Sequence, residues 1–182
     1  MTRRSDLAFS AAVKRMQSAL GSREAYEKRL SSRDWGDALP VELQDYVAAR
    51  DTFFLATASA DGQPYVQHRG GPPGFVVVRD ARTLAFADYS GNRQYISMGN
   101  LSENPRVMLI LVDFVQRRRL KIWGTAEVRE GVVDPDVLRS TAERAGVRAE
   151  RTVVVHIQAW DLNCPQHITP RYTVAEIGVL MR

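Results

Sequence analysis

Between Thr52 and Leu162, short runs of aromatic and β-branched residues alternate with turn formers, and this texture constrains the fold more than any other feature. TFFLATASA and QPYVQHRG flank Asp61-Gly62, a strong hairpin signal. GGPPG then interrupts, since two prolines remove ladder donors and the glycines permit sharp turning. GFVVVRD and TLAFADY follow, joined near Arg79 to Arg82. PRVMLILVDF is a continuous apolar run. In RRRLKIWGTAEVRE, Leu120, Ile122 and Gly124 share one face while Lys121, Trp123 and Thr125 share the other. RTVVVHIQAWDL reads as the last long strand. Strands at such short spacing form an antiparallel sheet that closes on itself, not a doubly wound parallel one. The expected class is mainly β with flanking helices (α+β), built on about six strands.

The first 50 residues read differently. Phe9, Val13, Met16 and Leu20 recur at helical steps, so they form one side of a helix that Gly21 can end and that must pack somewhere. Glu24 and Lys28 sit at helical pairing distance, and Pro40 opens a second short helix carrying Leu43, Tyr46 and Val47 on one face. Tyr95, Met98 and Leu101 are spaced for another. After the long alternating strand, Asp134 and Pro135 start a helix with Val137, Leu138, Thr141, Ala142 and Ala145 on one face and Gly146 at its end. The expected organisation is a helical extension over 1–50 packed on a barrel domain over 51–182.

Composition narrows the functional classes. No stretch approaches the roughly 20 apolar residues needed to cross a bilayer, and the amino terminus lacks a signal core, so a cytoplasmic location is expected. Cys164 is the single cysteine, and with His68, His156 and His167 scattered, neither a disulfide framework nor a metal site is expected. The net charge of +4 comes from 25 basic against 21 acidic residues, and the basic ones are dispersed, which disfavours nucleic acid. Nearly all are arginines, whose planar fork suits bidentate phosphate binding.

Two arginine-bearing turns, HRGGPPGF and SGNRQY, are the strongest chemical signal. A phosphate needs bidentate donors, free backbone amides and little steric bulk, and Gly91, Asn92 and Arg93 at a helix entrance supply all three. Elsewhere the signals are weaker. Arg119 reads equally as a ligand contact and as part of a solvated turn between strands, Arg117 and Arg118 read as that turn, and Trp123 as a core aromatic. Cys164 with nearby His167 has no third group to orient a nucleophile, and His156 lies within a strand.

Taken in order, LATASADGQPYVQHRGG, TLAFADYSGNRQY, ENPRVMLILVDF and RRLKIWGTAEV resemble the pyridoxamine 5'-phosphate oxidase-like, FMN-binding split-barrel family. HRGGPPGF, GNRQY and NCPQHITPR together look like its branch of flavin-nucleotide-binding proteins. The resemblance implies a homodimer that holds FMN at the subunit interface. It places Arg69, Gly70, Asn92, Arg93 and Gln94 at the phosphate and ribityl chain, and Phe86 and Asp88 at the strand end beside the cofactor. It also sets Val76 and Val77 beside the isoalloxazine and Arg119 as a polar contact to the ring; from the residues themselves, Trp123 is a candidate to stack on a ligand or a partner subunit, and His167 and Arg171 are candidates to reach cofactor or partner.

Where the vitamin B6 oxidases carry a lysine after the first arginine, this chain has the Gly74 region. DVLRSTAERAG lacks their tyrosine and serine arrangement, and the chain ends in YTVAEIGVLMR. The implied activity is thus flavin-dependent oxidoreduction of another small molecule, no catalytic acid or base being nameable. The alternative is a non-catalytic module that stores flavin, deazaflavin or haem on the same fold.

Overall fold

The computed structural model describes residues 3–32, 34–131, 134–141, 148–163 and 165–181. After a 3-10 turn at Arg4–Leu7 come helices α1 (Ala11–Ala19), α2 (Arg23–Ser32) and α3 (Val41–Ala48). Strands β1 (Thr52–Ala58), β2 (Pro64–Gly70), β3 (Val76–Asp80) and β4 (Thr83–Tyr89) precede α4 (Ile96–Glu103). Then follow β5 (Arg106–Asp113), β6 (Arg118–Glu130), α5 (Pro135–Thr141), β7 (Ala149–Asn163) and α6 (Val174–Leu180).

Seven strands, not six, form one antiparallel sheet in the order β2-β1-β5-β6-β7-β4-β3. Each of the seven β-like runs in the sequence, those on either side of GGPPG included, becomes a strand of its own. β2 and β3 end the sheet on opposite sides and share no ladder, so the sheet is open. Yet the connector 71–75 joins them and can carry the chain at most about 22 Å from Gly70 to Val76, so the sheet must curl until its edges approach. Gly74, at φ +87°, makes the turn, and its amide donates to Ala48 O at 2.6 Å.

The alternation read in β6 holds: Leu120, Ile122, Gly124 and Ala126 point inward against Leu109 and Leu111 of β5 and Val153, Val155 and Ile157 of β7. Phe53, Phe75 and Phe86 fill the same core, with Phe53 stacked on Phe75 and edge-on to Phe86 at 5.0 Å. α3 buries Leu43, Tyr46 and Val47 as its periodicity requires, and the Tyr46 hydroxyl lies 3.0 Å from Arg118 O at the β5–β6 turn.

α1 departs from expectation. Ser10 caps it, so Phe9 lies ahead of the helix, and Met16 and Leu20 stay 58% and 76% exposed. Among the described residues nothing buries its apolar side, and beyond α2 the chain runs on to the sheet. There Gly36 bridges Trp160 on the stretch of β7 that β4 leaves unpaired, and Trp160 Nε1 donates to Ala38 O at 2.9 Å. α5 begins at Pro135 with Val137 buried, while Ala142, Ala145 and Gly146 lie outside the described residues. Among the described residues no helix is long and apolar enough to cross a membrane.

Candidate anion-binding cleft at the split of the sheet

β1 and β2 pair so that Phe53 faces Arg69, Leu55 faces Gln67 and Thr57 faces Tyr65. Cross-strand partners share a face, so this edge strand carries polar side chains on the side where its neighbour carries core. A polar inward row requires partners. α4 supplies some: Ser97 Oγ donates to Gln67 Oε1 at 2.8 Å, and Asn100 Nδ2 to Thr57 Oγ1 at 3.0 Å. β4 supplies another, for Arg69 Nη1 donates to Asp88 Oδ1 at 2.5 Å with both side chains about nine-tenths buried.

Between these groups lies a cleft of about 260 Å³, bordered by Tyr65, Gln67 and Arg69 on β2, Asp88 and Tyr89 on β4, the turn 91–95 and the first residues of α4. Arg93 and Tyr95 both adopt left-handed backbone, at φ 61° and 53°. Asn92 Oδ1 accepts from Gln94 N at 3.2 Å, which tightens the turn. Tyr95 is the N-cap of α4 yet supplies no side-chain cap, so among the described residues the first amides of the helix have no side-chain acceptor. Their partial positive charge adds to the Arg69 and Arg93 guanidiniums.

Behind the cleft, Arg151 of β7 approaches Asp88 Oδ2 at 3.4 Å, Glu150 at 3.0 Å and Glu130 at 2.6 Å, and lies 5.1 Å from the Tyr95 ring. Its hydrogen bond to Glu130 outweighs burial and raises its pKa further. The Tyr95 hydroxyl, 3.4 Å from Arg93 Nε, likewise raises that guanidinium. Both arginines are permanent cations. The arrangement gathers donors of the kind that anions accept, beside the carboxylates of Asp88 and Glu150; among the described residues no group of three His, Cys, Asp or Glu is placed to hold a metal ion.

Of the residues singled out from sequence, Arg69, Asp88, Asn92, Arg93 and Gln94 meet in this cleft. Gly70 ends β2 beside it, next to the His68 ring. Val76 and Phe86 are core residues, and Val77 packs with Ala85, Ala87, Val137 and Val154. Arg119 and Trp123 lie instead on the outer face of β6. There Arg119 Nε reaches Asn163 Oδ1 at 3.4 Å, and Trp123 stacks on Trp35 with ring centres 4.6 Å apart. His167 is exposed in left-handed backbone at φ 63°, and Arg171 lies 5.1 Å from the Phe114 ring, so neither lines the cleft. Cys164 lies outside the described residues. Tyr65, Gln67, Ser97, Glu150 and Arg151 escaped the sequence reading; the first two carried a signal, a polar alternation along β2.

A family model for pyridoxamine 5'-phosphate oxidase matches residues 39–164. No curated protein matches the sequence significantly. Among solved structures, HupZ of Group A Streptococcus superposes with a TM-score of 0.55 at 18% identity, covering 74% of this chain and 100% of its own. A Lactobacillus delbrueckii protein of the pyridoxamine 5'-phosphate oxidase type gives 0.51 at 21% identity, over 69% of this chain and 95% of its own. The haem storage protein HutZ of Vibrio cholerae gives 0.47 at 19%, over 69% and 94%. At such identities the structural likeness is one of fold, and the family match spans well over half of the sequence. The chain belongs to the pyridoxamine 5'-phosphate oxidase-like family.

Proposed function

We propose that the cleft at the split of the sheet receives the phosphate end of FMN, and that the protein is a flavin-dependent oxidoreductase acting as a homodimer. One observation carries the reading: Arg69 and Arg93 flank the uncapped amino terminus of α4 in a single cleft. Guanidinium forks and free helix amides are the donor set that a phosphate needs.

The residues fit the group. Asp88 engages only Nη1 of Arg69, and Arg69 Nε is buried with no acceptor among the described residues. An unpaired buried donor is costly, and an anion seated beside this guanidinium offsets that cost. Size points to the same end of the molecule. At about 260 Å³ the cleft is smaller than the roughly 300–1,000 Å³ of whole-ligand sites, so it accommodates the phosphate and ribityl chain and leaves the ring to a surface beyond it. In a homodimer a second copy supplies that surface.

When bound, the flavin supplies hydride or electron transfer. The chain's own residues bind and orient it: Arg69 and Arg93 neutralise the phosphate, Asn92 and Gln94 shape the turn, and Asp88 holds Arg69 in place. The Gly74 region and the sequence DVLRSTAERAG lack the substrate-binding residues of vitamin B6 oxidases, so the substrate is a different small molecule.

The test is the visible absorption spectrum of the purified protein before and after incubation with FMN, followed by gel filtration and assay with reduced nicotinamide donors. Stoichiometric flavin that co-elutes with a dimer and is reduced by a donor supports the reading. Failure to take up FMN overturns it, and flavin that no donor reduces assigns the site to storage.

A further inference from the structure

On the far side of the sheet, the amino-terminal segment and the outer face of β6–β7 enclose a second cavity, of about 170 Å³. It shares no lining residue with the anion-binding cleft. Four aromatic rings border it. Phe9 lies edge-on to Tyr26 at 5.5 Å and tilted to Trp35 at 5.3 Å, and Trp35 stacks on Trp123. Aromatic clusters of this kind normally close-pack, leaving few voids larger than a water molecule. A cavity of about 150 Å³ is enough to admit one benzene ring. The space therefore has the size and lining of a single aromatic ring.

The polar rim sets the charge of what enters. Lys121 Nζ is held by Asp161 at 3.0 Å, and Asn163 Nδ2 donates to the same carboxylate at 3.0 Å. Those charges neutralise one another. Arg29, on α2, also lines the cavity, and its guanidinium has no ion pair or hydrogen bond among the described residues. One free cation beside a ring-sized aromatic slot selects an aromatic acid. A larger cavity of about 490 Å³ shares Arg29, Leu30, Trp35 and Asp161 with this one, so a ring substituent has room to extend.

We propose that this cavity is a binding site for a monocyclic aromatic carboxylate, its ring among Phe9, Tyr26, Trp35 and Trp123 and its carboxylate on Arg29. Such a ligand ties the amino-terminal segment to the sheet, since Phe9, Tyr26 and Trp35 come from the first and Trp123 from the second.

Calorimetric titration of the full chain with benzoate, and with its neutral isostere benzamide, tests the proposal. Benzoate is expected to bind saturably and at least about tenfold more tightly than benzamide, the difference that a charge-assisted hydrogen bond makes. Arg29 is exposed, so Arg29→Gln leaves the fold intact, as its thermal melt will verify, and it is expected to erase the preference. Absence of saturable binding, equal affinity for the two probes, or an unchanged preference in Arg29→Gln overturns it.

Discussion

Arg69 and Asp88 stand on β2, one edge of the sheet, and β4, the neighbour of the other edge, yet their side chains meet at 2.5 Å. This ion pair closes with side chains a gap that backbone pairing leaves open. Both partners are about nine-tenths buried, and Arg151 approaches the same carboxylate. Removing one partner of a buried pair strands the other charge, at a cost of about 3–5 kcal/mol. Asp88→Asn retains an acceptor oxygen, which puts it at the low end, about 3 kcal/mol, or roughly 6–12 °C in Tm for a domain of this size. A thermal melt checks this, and a Tm within one degree of the parent would show that the pair does not hold the split.

Arg93 sits at the mouth of the same cleft, on the turn before α4, and is exposed. Its side chain supports no core, so Arg93→Ala is expected to leave Tm unchanged while FMN dissociation becomes at least about tenfold more favourable. Because the lost contact is a solvent-facing charge pair, the parent's affinity should fall with added salt more steeply than the variant's. Fluorescence titration at two ionic strengths measures both. Identical salt slopes would move the phosphate away from Arg93.

The sheet and α3 were legible because periodicity reports which residues face inward, and Leu120, Ile122, Leu43 and Val47 do so as their spacing requires. The cleft was legible only in part, and register is the reason. A two-residue turn at Asp61-Gly62 would pair Ala60 with Gln63, whereas the loop 59–63 pairs Ala58 with Pro64. A slip of one residue exchanges the faces of a strand, so the turn signal alone left open whether Gln67 or His68 points inward. Contacts between distant segments leave no local trace either. Nothing near Trp123 announces that Trp35 will stack on it, and nothing in α1 reveals that its apolar side stays uncovered.

Gly36 has a requirement that sequence inspection did not reveal. A Cβ at this position would overlap the Trp160 indole, and that ring is fixed by its hydrogen bond to Ala38 O. Gly36→Ala must therefore lift residues 34–39 off β7 or displace the indole, an overpacking cost of about 1–3 kcal/mol. The damage is expected to be local. Trypsin should cut within the first 32 residues faster than in the parent, while FMN uptake is unchanged, since the anion-binding cleft lies elsewhere. Equal cleavage rates would mean that this bridge does not hold the amino-terminal segment.

Acid should release that segment. Asp37 accepts from Arg4 Nη2 at 3.0 Å and from Arg82 Nη2 at 3.2 Å, which joins the amino-terminal turn to the β3–β4 hairpin. Burial alone would raise its pKa, but hydrogen bonds from Arg82 and Arg4 outweigh it and hold the carboxyl below the ordinary aspartate value. A carboxylate whose folded pKa is depressed contributes stability that is full above its unfolded value, near 3.9, and is lost as pH falls through the folded one. The contribution of Asp37 is thus intact at neutral pH and disappears below about pH 4. Trypsin is inactive there, so pepsin at a series of pH values between about 2 and 5 is the suitable probe of the first 32 residues. Asp37→Asn, which cannot ionise, should cleave faster than the parent at the upper end of that range and converge with it at the lower end. Parallel profiles across the range would show that Asp37 does not anchor the segment.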